Sequence, residues 1–272
     1  MPASDPRAIE VADTALLVDS VREAGGIARK FFGGSYRKWD KGGGNPVTEA
    51  DIAIDRRLHQ ILRGERPDYG WLSEETEDDP SRLERERVFV IDPIDGTVGF
   101  VRGRPQFTIV AAVVRGGRPV SGAIYNPITD EMYEATLGKG ARLSGEDIHV
   151  SERSSFDDAR VLAGKKMFAP ERWDEPWPTS ILFENRSSLA YRQALVAEGQ
   201  FDAMISLSSK HDWDLAAGDL ILHEAGGKMT SQEGATLIYN RAQPVQHGVI
   251  GACGGLHAKL VERFKNFSAA LE

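Results

Sequence analysis

The chain has 272 residues and a formal net charge of −8, with 41% hydrophobic and 27% charged residues. This composition excludes a disordered or fibrous chain, and the acidic balance disfavours binding to nucleic acid or to an anionic membrane surface. The most apolar run, "FTIVAAVV", is far shorter than the roughly 20 residues that cross a bilayer, and the start "MPASDPRAIEVAD" has no secretory pattern. Cys253 is the single cysteine, which excludes an intrachain disulfide, and we expect a cytoplasmic protein.

Two helices are predicted in the first 65 residues. Apolar residues recur at helical spacing in "DPRAIEVADTALLVDSVREAGGIARKFF", where Asp5 can cap the helix and Pro6 suits its first turn. The glycine-rich loop "GGSYRKWDKGGGNP" follows, without the features of a nucleotide-binding loop. A second helix, "TEADIAIDRRLHQILRG", begins at Thr48. The charged stretch "YGWLSEETEDDPSRLERER" is expected to be a surface loop.

The remainder of the chain divides into two patterns. From Val88, short β-rich runs are separated by Gly, Pro and Asn turns, which predicts an antiparallel meander. After about Ser151, strand-like runs alternate with helix-like runs, for example "FDAMISL" and then "DWDLAAGDLILHEAGG", which predicts an α/β arrangement. We therefore expect an α+β unit over residues 1–150 and an α/β unit over residues 151–272.

The run "VFVIDPIDGTVGF" brings two carboxylates to the end of an apolar strand. Asp92 and Asp95 would repel one another, and one would take up a proton unless a cation lies between them. Hard cations such as Mg²⁺ take carboxylate and carbonyl oxygens as ligands, and a stiff turn at Pro93 could direct the Ile94 carbonyl to the same site. The alternative is an ordinary Asx-type turn that joins two elements.

Three further acids each have an ordinary structural explanation. Glu74 lies in the acidic loop before the strand, where side chains are usually solvated. Asp51 follows Thr48 at capping-box spacing, and Asp214 lies in the first turn of an apolar helix, where an acid complements the helix dipole. The order in which these acids occur along the chain carries more information than each acid alone.

The order "PVTEAD … SEE … DPIDGT … WDLAAG" resembles the inositol monophosphatase superfamily of Mg²⁺-dependent, often lithium-sensitive phosphomonoesterases. The similarity covers essentially the whole chain. It implies a layered sandwich of alternating helix and sheet layers, with an antiparallel-rich N-terminal sheet and an α/β C-terminal part. It also implies that Glu74, Asp92 and the Ile94 carbonyl hold one Mg²⁺, and that Asp92, Asp95 and Asp214 hold a second. A third ion would be held through water by Glu74.

The same resemblance implies the catalytic roles. Thr97, hydrogen-bonded to Asp51, would orient and help deprotonate the attacking water, while the N–H groups of Gly96 and Thr97 bind phosphate. Two metals about 4 Å apart can activate water and stabilise the departing alkoxide. The residues expected to be catalytic are Asp51, Glu74 and Thr97, and those expected to contact substrate are Asp95, Gly96, Thr97, Lys210 and Asp214. Lys41 falls near a lysine of the family, but we interpret it as a surface lysine.

The substrate is less well specified by the sequence. "MISLSSKHDWD" lacks the glutamate that inositol-specific relatives usually carry before Trp-Asp, and it has Lys210 there instead. This segment is similar to the 3′(2′),5′-bisphosphate nucleotidase branch, with 3′-phosphoadenosine 5′-phosphate as substrate and Lys210 facing its second phosphate. For Lys210 alone, a solvated loop lysine is the preferred interpretation. Inositol 1-phosphate is the alternative, followed by histidinol phosphate and fructose 1,6-bisphosphate. Val98-Gly99 departs from the polar pair that family members commonly carry after Asp-Gly-Thr, which removes one specificity contact.

The expected partner is a small phosphorylated metabolite, with no nucleic acid polymer and no membrane, and the resemblance suggests a homodimer. A rival from another class is a protein that keeps the metal site but acts by regulating a partner. Trp173 and Trp177 either cover the mouth of the site or pack on the core, and packing is the preferred interpretation. His211 and Asp212 either form an acid–base pair or have a loop or capping role, which we prefer.

Overall fold

The computed structural model describes residues 5–40, 42, 46–170, 173, 175–265 and 267. The helices are α1 (Pro6–Phe31), α2 (Glu49–Glu65), α3 (Thr97–Val101), α4 (Leu189–Ala197), α5 (Ala216–Glu224) and α6 (Gly254–Lys265). The N-terminal capping predictions are confirmed. The Asp5 carboxylate accepts from Arg7 N at 3.0 Å, and Thr48 forms a capping box with Asp51 at the start of α2.

The strands are β1 (Lys38–Asp40), β2 (Pro46–Thr48), β3 (Gly70–Ser73), β4 (Arg87–Asp95), β5 (Thr108–Arg115), β6 (Arg118–Asn126), β7 (Glu131–Thr136), β8 (Ala141–Leu143), β9 (Glu146–Ile148), β10 (Arg160–Leu162), β11 (Leu182–Glu184), β12 (Ala203–Ser206), β13 (Lys210–His211), β14 (Gly227–Ser231), β15 (Val245–Gln246) and β16 (Val249–Cys253). A seven-stranded sheet has the order β3-β4-β5-β6-β7-β8-β9, and a five-stranded sheet has the order β11-β10-β12-β16-β14. β1 pairs with β2 and β13 with β15 in two small antiparallel sheets.

The two large sheets and the helices form alternating layers. α1 and α2 pack on the outer face of the seven-stranded sheet, α4 and α5 lie between the sheets, and α6 covers the five-stranded sheet. Side chains of β4 alternate between the layers, as the pleat requires. Val88 and Val90 face the middle helices, whereas Phe89 and Ile91 face α1 and α2. The predicted layered sandwich is therefore confirmed.

The antiparallel meander is confirmed from β4 to β9, but the prediction for the preceding segment was wrong in part. "YGWLSEETEDDPSRLERER" contains β3, which pairs in parallel with β4, and a 3₁₀ helix over Pro80–Glu84. Arg82 is buried there and forms an ion pair with Asp78 at 2.6 Å. The charged composition concealed a strand whose hydrogen-bond partner lies some 18 residues further along the chain.

The second sheet is mixed. β10 is parallel to both β11 and β12, whereas β16 is antiparallel to β12 and β14. The strands β11 and β14 were not predicted. The first large sheet ends at Ile148 and the second begins at Arg160, but the core around α4 and α5 includes residues of both sheets. The division of the chain at residue 150 stays a prediction.

The structure also tests two local predictions, the start of the helix around Asp214 and the packing of Trp173 and Trp177. The helix expected from Asp212 begins instead as a 3₁₀ turn, and α5 starts at Ala216. Trp173 and Trp177 pack edge to face at 4.9 Å within the apolar cluster beneath α6. These partly buried tryptophans therefore pack on the surface of the core, as preferred from the sequence.

Candidate active site

The end of β4 carries Asp92 and Asp95. Asp92 pairs with Val110 of β5 and Asp95 pairs with Thr108, so three steps along β4 match two steps along β5. One extra residue in a strand is a β-bulge, which re-aims the side chains beyond it. Residues three apart on a regular strand point to opposite faces, but this bulge lets both carboxylates approach one site.

Asp214 reaches the same site from the 3₁₀ turn that precedes α5. Ligand oxygens of Asp92, Asp95 and Asp214 all lie within 4.8 Å of one another. Asp214 is held by the backbone N–H of His211, which donates to its Oδ2 at 2.8 Å. Glu74, which directly follows β3, lines the same cavity as these three acids. The structure thus brings the predicted carboxylates together.

The electrostatics of this acidic corner, defined as Glu74, Asp92, Asp95 and Asp214, call for a cation. Asp92 is 1% exposed, and its Oδ1 atom has no hydrogen-bond partner within the described part of the chain. Burial raises the pKa of Asp92 well above its ordinary value, and the charges of Glu74, Asp95 and Asp214 raise it further. Burial, followed by the charge of Asp95, raises the pKa of Asp214 to about 7. A divalent cation between oxygen ligands removes this repulsion, so the residues fit a hard metal ion.

Asp95 is anchored by a residue that the sequence did not identify. Ser188 Oγ donates to Asp95 Oδ2 at 2.5 Å, and the Ala190 backbone N–H donates to the same oxygen at 2.6 Å. Ser188 also caps α4, because its Oγ accepts from Tyr191 N at 2.9 Å. The first turn of α4 therefore positions the Asp95 carboxylate.

Asp51 lies beside the corner, at the start of α2. Its Oδ2 accepts from Thr48 N at 2.8 Å, and its Oδ1 lies 3.4 Å from Thr97 Oγ1. Thr97 Oγ1 donates more closely to the Ile94 carbonyl, at 2.9 Å. Burial raises the pKa of Asp51 to about 6, although the hydrogen bonds from Thr48 oppose the shift. Asp51 and Thr97 are thus neighbours, but the hydrogen bond between their side chains is long.

Asp55 is a second residue that the sequence did not identify. It lies one helical turn after Asp51, and its carboxylate accepts from Ser73 Oγ at 2.5 Å and from Thr76 Oγ1 at 2.6 Å. These two donors flank Glu74 in the sequence, so Asp55 fixes the short segment that presents Glu74. The sequence could have identified Asp55 from its four-residue spacing from Asp51, because this spacing places both acids on one face of the helix.

Gly96 sits where no other residue would fit. Its φ is +91°, and an added Cβ would lie 2.9 Å from Ser188 N and 3.1 Å from the Gln106 carbonyl oxygen. Gly96 precedes α3, which begins at Thr97. A side chain at this position would therefore force α3 away from α4.

The acidic corner opens into a cavity of about 680 Å³, the size of a small-molecule site. Its wall includes Lys210, on the small strand β13, and Val98, on α3. His211 stacks on Trp213, with ring centroids 4.3 Å apart, while Asp212 accepts from Asn240 N and Gln246 Nε2. His211 and Asp212 thus have separate contacts, and His211 precedes a 3₁₀ turn, as preferred from the sequence. Lys41 lies outside the described residues.

No helix in the described residues is both long and apolar enough to cross a membrane.

The layered fold and the acidic corner are typical of an enzyme in which clustered carboxylates could hold a metal ion. The chain matches the model of the inositol monophosphatase family over residues 10–268, and it belongs to that family. The family assignment made from the sequence is confirmed, and with it the assignment of the chain as a phosphatase of a metal-dependent family.

Relatives of the chain match over most of their length. An inositol-1-monophosphatase from Rhizobium meliloti is 33% identical over 255 residues, which are 89% of this chain and 91% of that protein. An inositol-1-monophosphatase from Caulobacter vibrioides is 31% identical over 264 residues, 92% of this chain and 99% of that protein. The crystal structure of the extragenic suppressor protein suhB from Bartonella henselae has a TM-score of 0.82 at 28% identity, with 93% of this chain and 98% of that chain covered. These names support the alternative substrate, inositol 1-phosphate, more than the nucleotidase interpretation.

Proposed function

We propose that this protein hydrolyses a small phosphate monoester with water that is activated by divalent cations, of which Mg²⁺ is the expected ion. One observation carries the proposal: a carboxylate oxygen of Asp92 is buried without a partner where oxygens of Asp95 and Asp214 lie within 4.8 Å. Oxygen-only ligands favour Mg²⁺ over the softer transition metals.

The ligand set of the corner supports two ions. Glu74, Asp92 and the Ile94 carbonyl would hold one, and Asp92, Asp95 and Asp214 the other, with Glu74 extending to a third through water. When bound, such ions lower the pKa of water and neutralise charge on the phosphoryl and leaving oxygens. The protein's part is to hold the carboxylates of Asp92, Asp95 and Asp214 close together, with one oxygen of Asp92 buried without a partner in the described residues.

Asp51 and Thr97 are proposed to handle the proton of the nucleophile. Thr97 Oγ1 would accept from the attacking water and pass its own proton toward Asp51 Oδ1, 3.4 Å away. With a pKa of about 6, Asp51 is ionised at neutral pH and is able to accept that proton. A closer approach of Thr97 to Asp51 on substrate binding would break its bond to the Ile94 carbonyl and free that oxygen for metal.

The phosphoryl group is proposed to lie at the start of α3. There the N–H groups of Gly96 and Thr97 would donate to its oxygens while Asp95 and Asp214 contact it through the ions. The positive φ of Gly96 turns the backbone out of β4 toward the cavity. In this proposal the ester bond would lie between the acidic corner and the open part of the cavity.

Two substrates are candidates. Inositol 1-phosphate is supported by the names of the relatives at 33% and 31% identity. The second candidate, 3′-phosphoadenosine 5′-phosphate, is supported by Lys210 in the cavity wall, where an ammonium could meet a second phosphate. We also propose a homodimer in the cytoplasm, to be checked by sedimentation and by fractionation of cells.

The test is phosphate release from four esters with and without Mg²⁺. The panel is inositol 1-phosphate, 3′-phosphoadenosine 5′-phosphate, histidinol phosphate and fructose 1,6-bisphosphate. We expect turnover of at least one ester with Mg²⁺, loss of turnover with a chelator, and recovery when Mg²⁺ is restored. Asp95→Asn should abolish turnover while keeping an acceptor for Ala190 N, whereas Asp147→Asn, an exposed control, should not.

Turnover that persists in chelator or in Asp95→Asn would contradict the metal-assisted mechanism. A wild-type protein that releases no phosphate from any ester would favour the rival class, a metal-binding protein that regulates a partner.

A further inference from the structure

Gln193, on α4, is a fully buried polar side chain that has no role in the chemistry proposed above. It is 0% exposed, and its Oε1 atom has no hydrogen-bond partner in the described part of the chain. Glutamine is seldom buried, because its amide group loses hydrogen bonds to water, and an unpaired amide oxygen carries that cost in full. Since an apolar side chain would avoid the cost, the amide at this position calls for an explanation.

The other atom of the amide group supplies the explanation. Gln193 Nε2 donates to the backbone carbonyl of Asp214 at 2.9 Å. The side chain has little room to move, because α5 passes directly beside it. A Cβ added to Gly218 would overlap Gln193 Oε1 and would lie 2.7 Å from Gln193 Cβ. Gln193 therefore presents a donor at a fixed point to the residue that brings the Asp214 carboxylate into the acidic corner.

The backbone around Asp214 is irregular and benefits from such a donor. The 3₁₀ turn that ends at Asp214 joins α5 through Leu215, whose φ of −126° departs from helical geometry. The Leu215 carbonyl accepts from Asp219 N at 2.8 Å, as in an α-helix, whereas the Asp214 carbonyl accepts from a side chain. At the start of the turn, the Asp212 carboxylate accepts two hydrogen bonds from outside the turn. Gln193 thus fixes the end of the turn as Asp212 fixes its start.

The helix that carries Gln193 also holds a second carboxylate of the acidic corner. Ser188 Oγ and the Ala190 N–H both donate to Asp95 Oδ2. Gln193 follows Ala190 by three residues, so about one and a half turns of α4 connect to both Asp95 and Asp214. The separation between these two carboxylates therefore depends on contacts with a single helix. Mg²⁺ requires nearly ideal octahedral geometry, whereas the larger Ca²⁺ tolerates irregular geometry, so Mg²⁺ is the more sensitive to this separation.

We infer that Gln193 is a positioning residue, which fixes Asp214 to α4 and so sets the separation between the Asp95 and Asp214 carboxylates. The inference rests on the proposed function, because it requires that these carboxylates hold a divalent cation. It explains why an amide with an unpaired oxygen lies in the core: the width of the site, and with it the preference for a small cation, depends on that amide.

The experiment is a calorimetric titration of the wild type and Gln193→Met with Mg²⁺ and with Ca²⁺, in the absence of substrate. Methionine keeps the length of the side chain and removes the donor. We expect the affinity for Mg²⁺ to fall by about tenfold and the affinity for Ca²⁺ by less than about threefold. The Tm in chelator should stay within about 3 °C of the wild type, because removal of the unpaired oxygen offsets the lost hydrogen bond to Asp214.

Leu195→Ala is the matched control, because Leu195 lies on the same helix, is 2% exposed and packs in the core. It should lower the Tm by about 5 °C or more and leave both affinities within about twofold of the wild type. An unchanged Mg²⁺ affinity in Gln193→Met, or equal losses for the two ions, would overturn the inference and leave the proposed function standing. An equal loss of Mg²⁺ affinity in Leu195→Ala would overturn it too, since loosening of the core would then suffice. If the wild type binds neither ion, the proposed function fails, and the inference fails with it.

Discussion

Two buried aspartates in this protein are held in opposite ways. Asp219, on α5, is 1% exposed and forms an ion pair with Arg118 at 2.9 Å, while Tyr239 OH donates to it at 3.0 Å. Asp92, on β4, is equally buried at 1% exposed, but one of its oxygens has no partner in the described chain. The chain therefore compensates one buried charge itself and leaves the other uncompensated.

The difference appears in what surrounds each carboxyl group. Burial raises the pKa of Asp219, and the neighbouring Arg118 opposes that rise. Burial also raises the pKa of Asp92, but the charges of Glu74 and Asp95 raise it further. Because an uncompensated buried charge is costly, a fold retains one where something else supplies the opposite charge. The acidic corner therefore suits a bound cation, which would supply the positive charge that Arg118 supplies to Asp219.

The largest effect is expected from a substitution of Asp92, the buried aspartate without a compensating charge. Asp92→Asn removes a ligand shared by both proposed ions, so kcat/KM should fall by about 10³-fold or more. The metal-free variant should unfold at the same temperature as the wild type or higher, because a repulsive charge is gone. Phosphate release and thermal unfolding in chelator measure the two quantities. A large loss of stability with activity retained would contradict the account.

A smaller effect is expected at Asp55, which acts through other residues. Asp55→Ala leaves the Ser73 and Thr76 hydroxyls without their shared acceptor, so the segment that presents Glu74 loses its anchor. We expect the apparent Mg²⁺ affinity to fall by about 10-fold to 100-fold. Titration of turnover with Mg²⁺ measures this, and saturating Mg²⁺ should restore most of kcat. Asp55→Asn keeps one acceptor oxygen, so its apparent Mg²⁺ affinity should lie between those of the wild type and Asp55→Ala. An unchanged Mg²⁺ titration in both variants would show that Asp55 does not support the site.

Asp219→Asn tests the buried aspartate whose charge is compensated by Arg118. The change leaves Arg118 without its counter-charge, and Arg118 is partly solvated, so the free energy of unfolding should fall by about 1–3 kcal/mol. Turnover per folded molecule should match the wild type within about twofold, since Asp219 faces Tyr239 rather than the cavity. Urea unfolding and phosphate release measure these outcomes. A selective loss of turnover would mean that both aspartates serve catalysis.

The smallest expected effect is the pH dependence of the stability that Mg²⁺ adds. The folded pKa of Asp214 is about 7, above the value near 4 of an unfolded aspartate. Its contribution to stability is therefore fully present below about pH 4 and is lost as pH rises to about 7. Because Mg²⁺ binds the ionised carboxylate, the rise in Tm on adding Mg²⁺ should be larger at pH 8 than at pH 5.5. Asp214→Asn should reduce that difference without abolishing it, because burial and neighbouring charges also raise the pKa of Asp92. A wild-type Tm rise independent of pH would count against Asp214 as a ligand.

Local signals in the sequence explain what could be predicted. The caps at Asp5 and Thr48 act within a few residues, and the strand that ends in Asp92 and Asp95 is visible as an apolar run followed by a stiff turn. The order of the acidic motifs then indicated the family, which the whole-chain match confirms. The convergence of Asp92, Asp95 and Asp214 followed from that resemblance rather than from spacing.

The missed features depend on pairings between distant parts of the chain. Ser188 reaches Asp95 across 93 positions, and Asp55 reaches Ser73 across 18, so neither contact has a local pattern. β3 was hidden because β4, the strand with which it pairs, lies beyond a charged loop. The 3₁₀ turn that carries Asp214 looked like the first turn of α5, since both patterns place acids before an apolar run.

The most direct test of the central claim is anomalous scattering from crystals soaked in Mn²⁺, which takes oxygen ligands as Mg²⁺ does. The account predicts a peak enclosed by Asp92, Asp95 and Asp214, about 2–2.6 Å from an oxygen of each. A soak of Asp92→Asn crystals should lose it. A map with no peak among these three carboxylates at saturating Mn²⁺ would contradict the claim that the corner holds a metal ion.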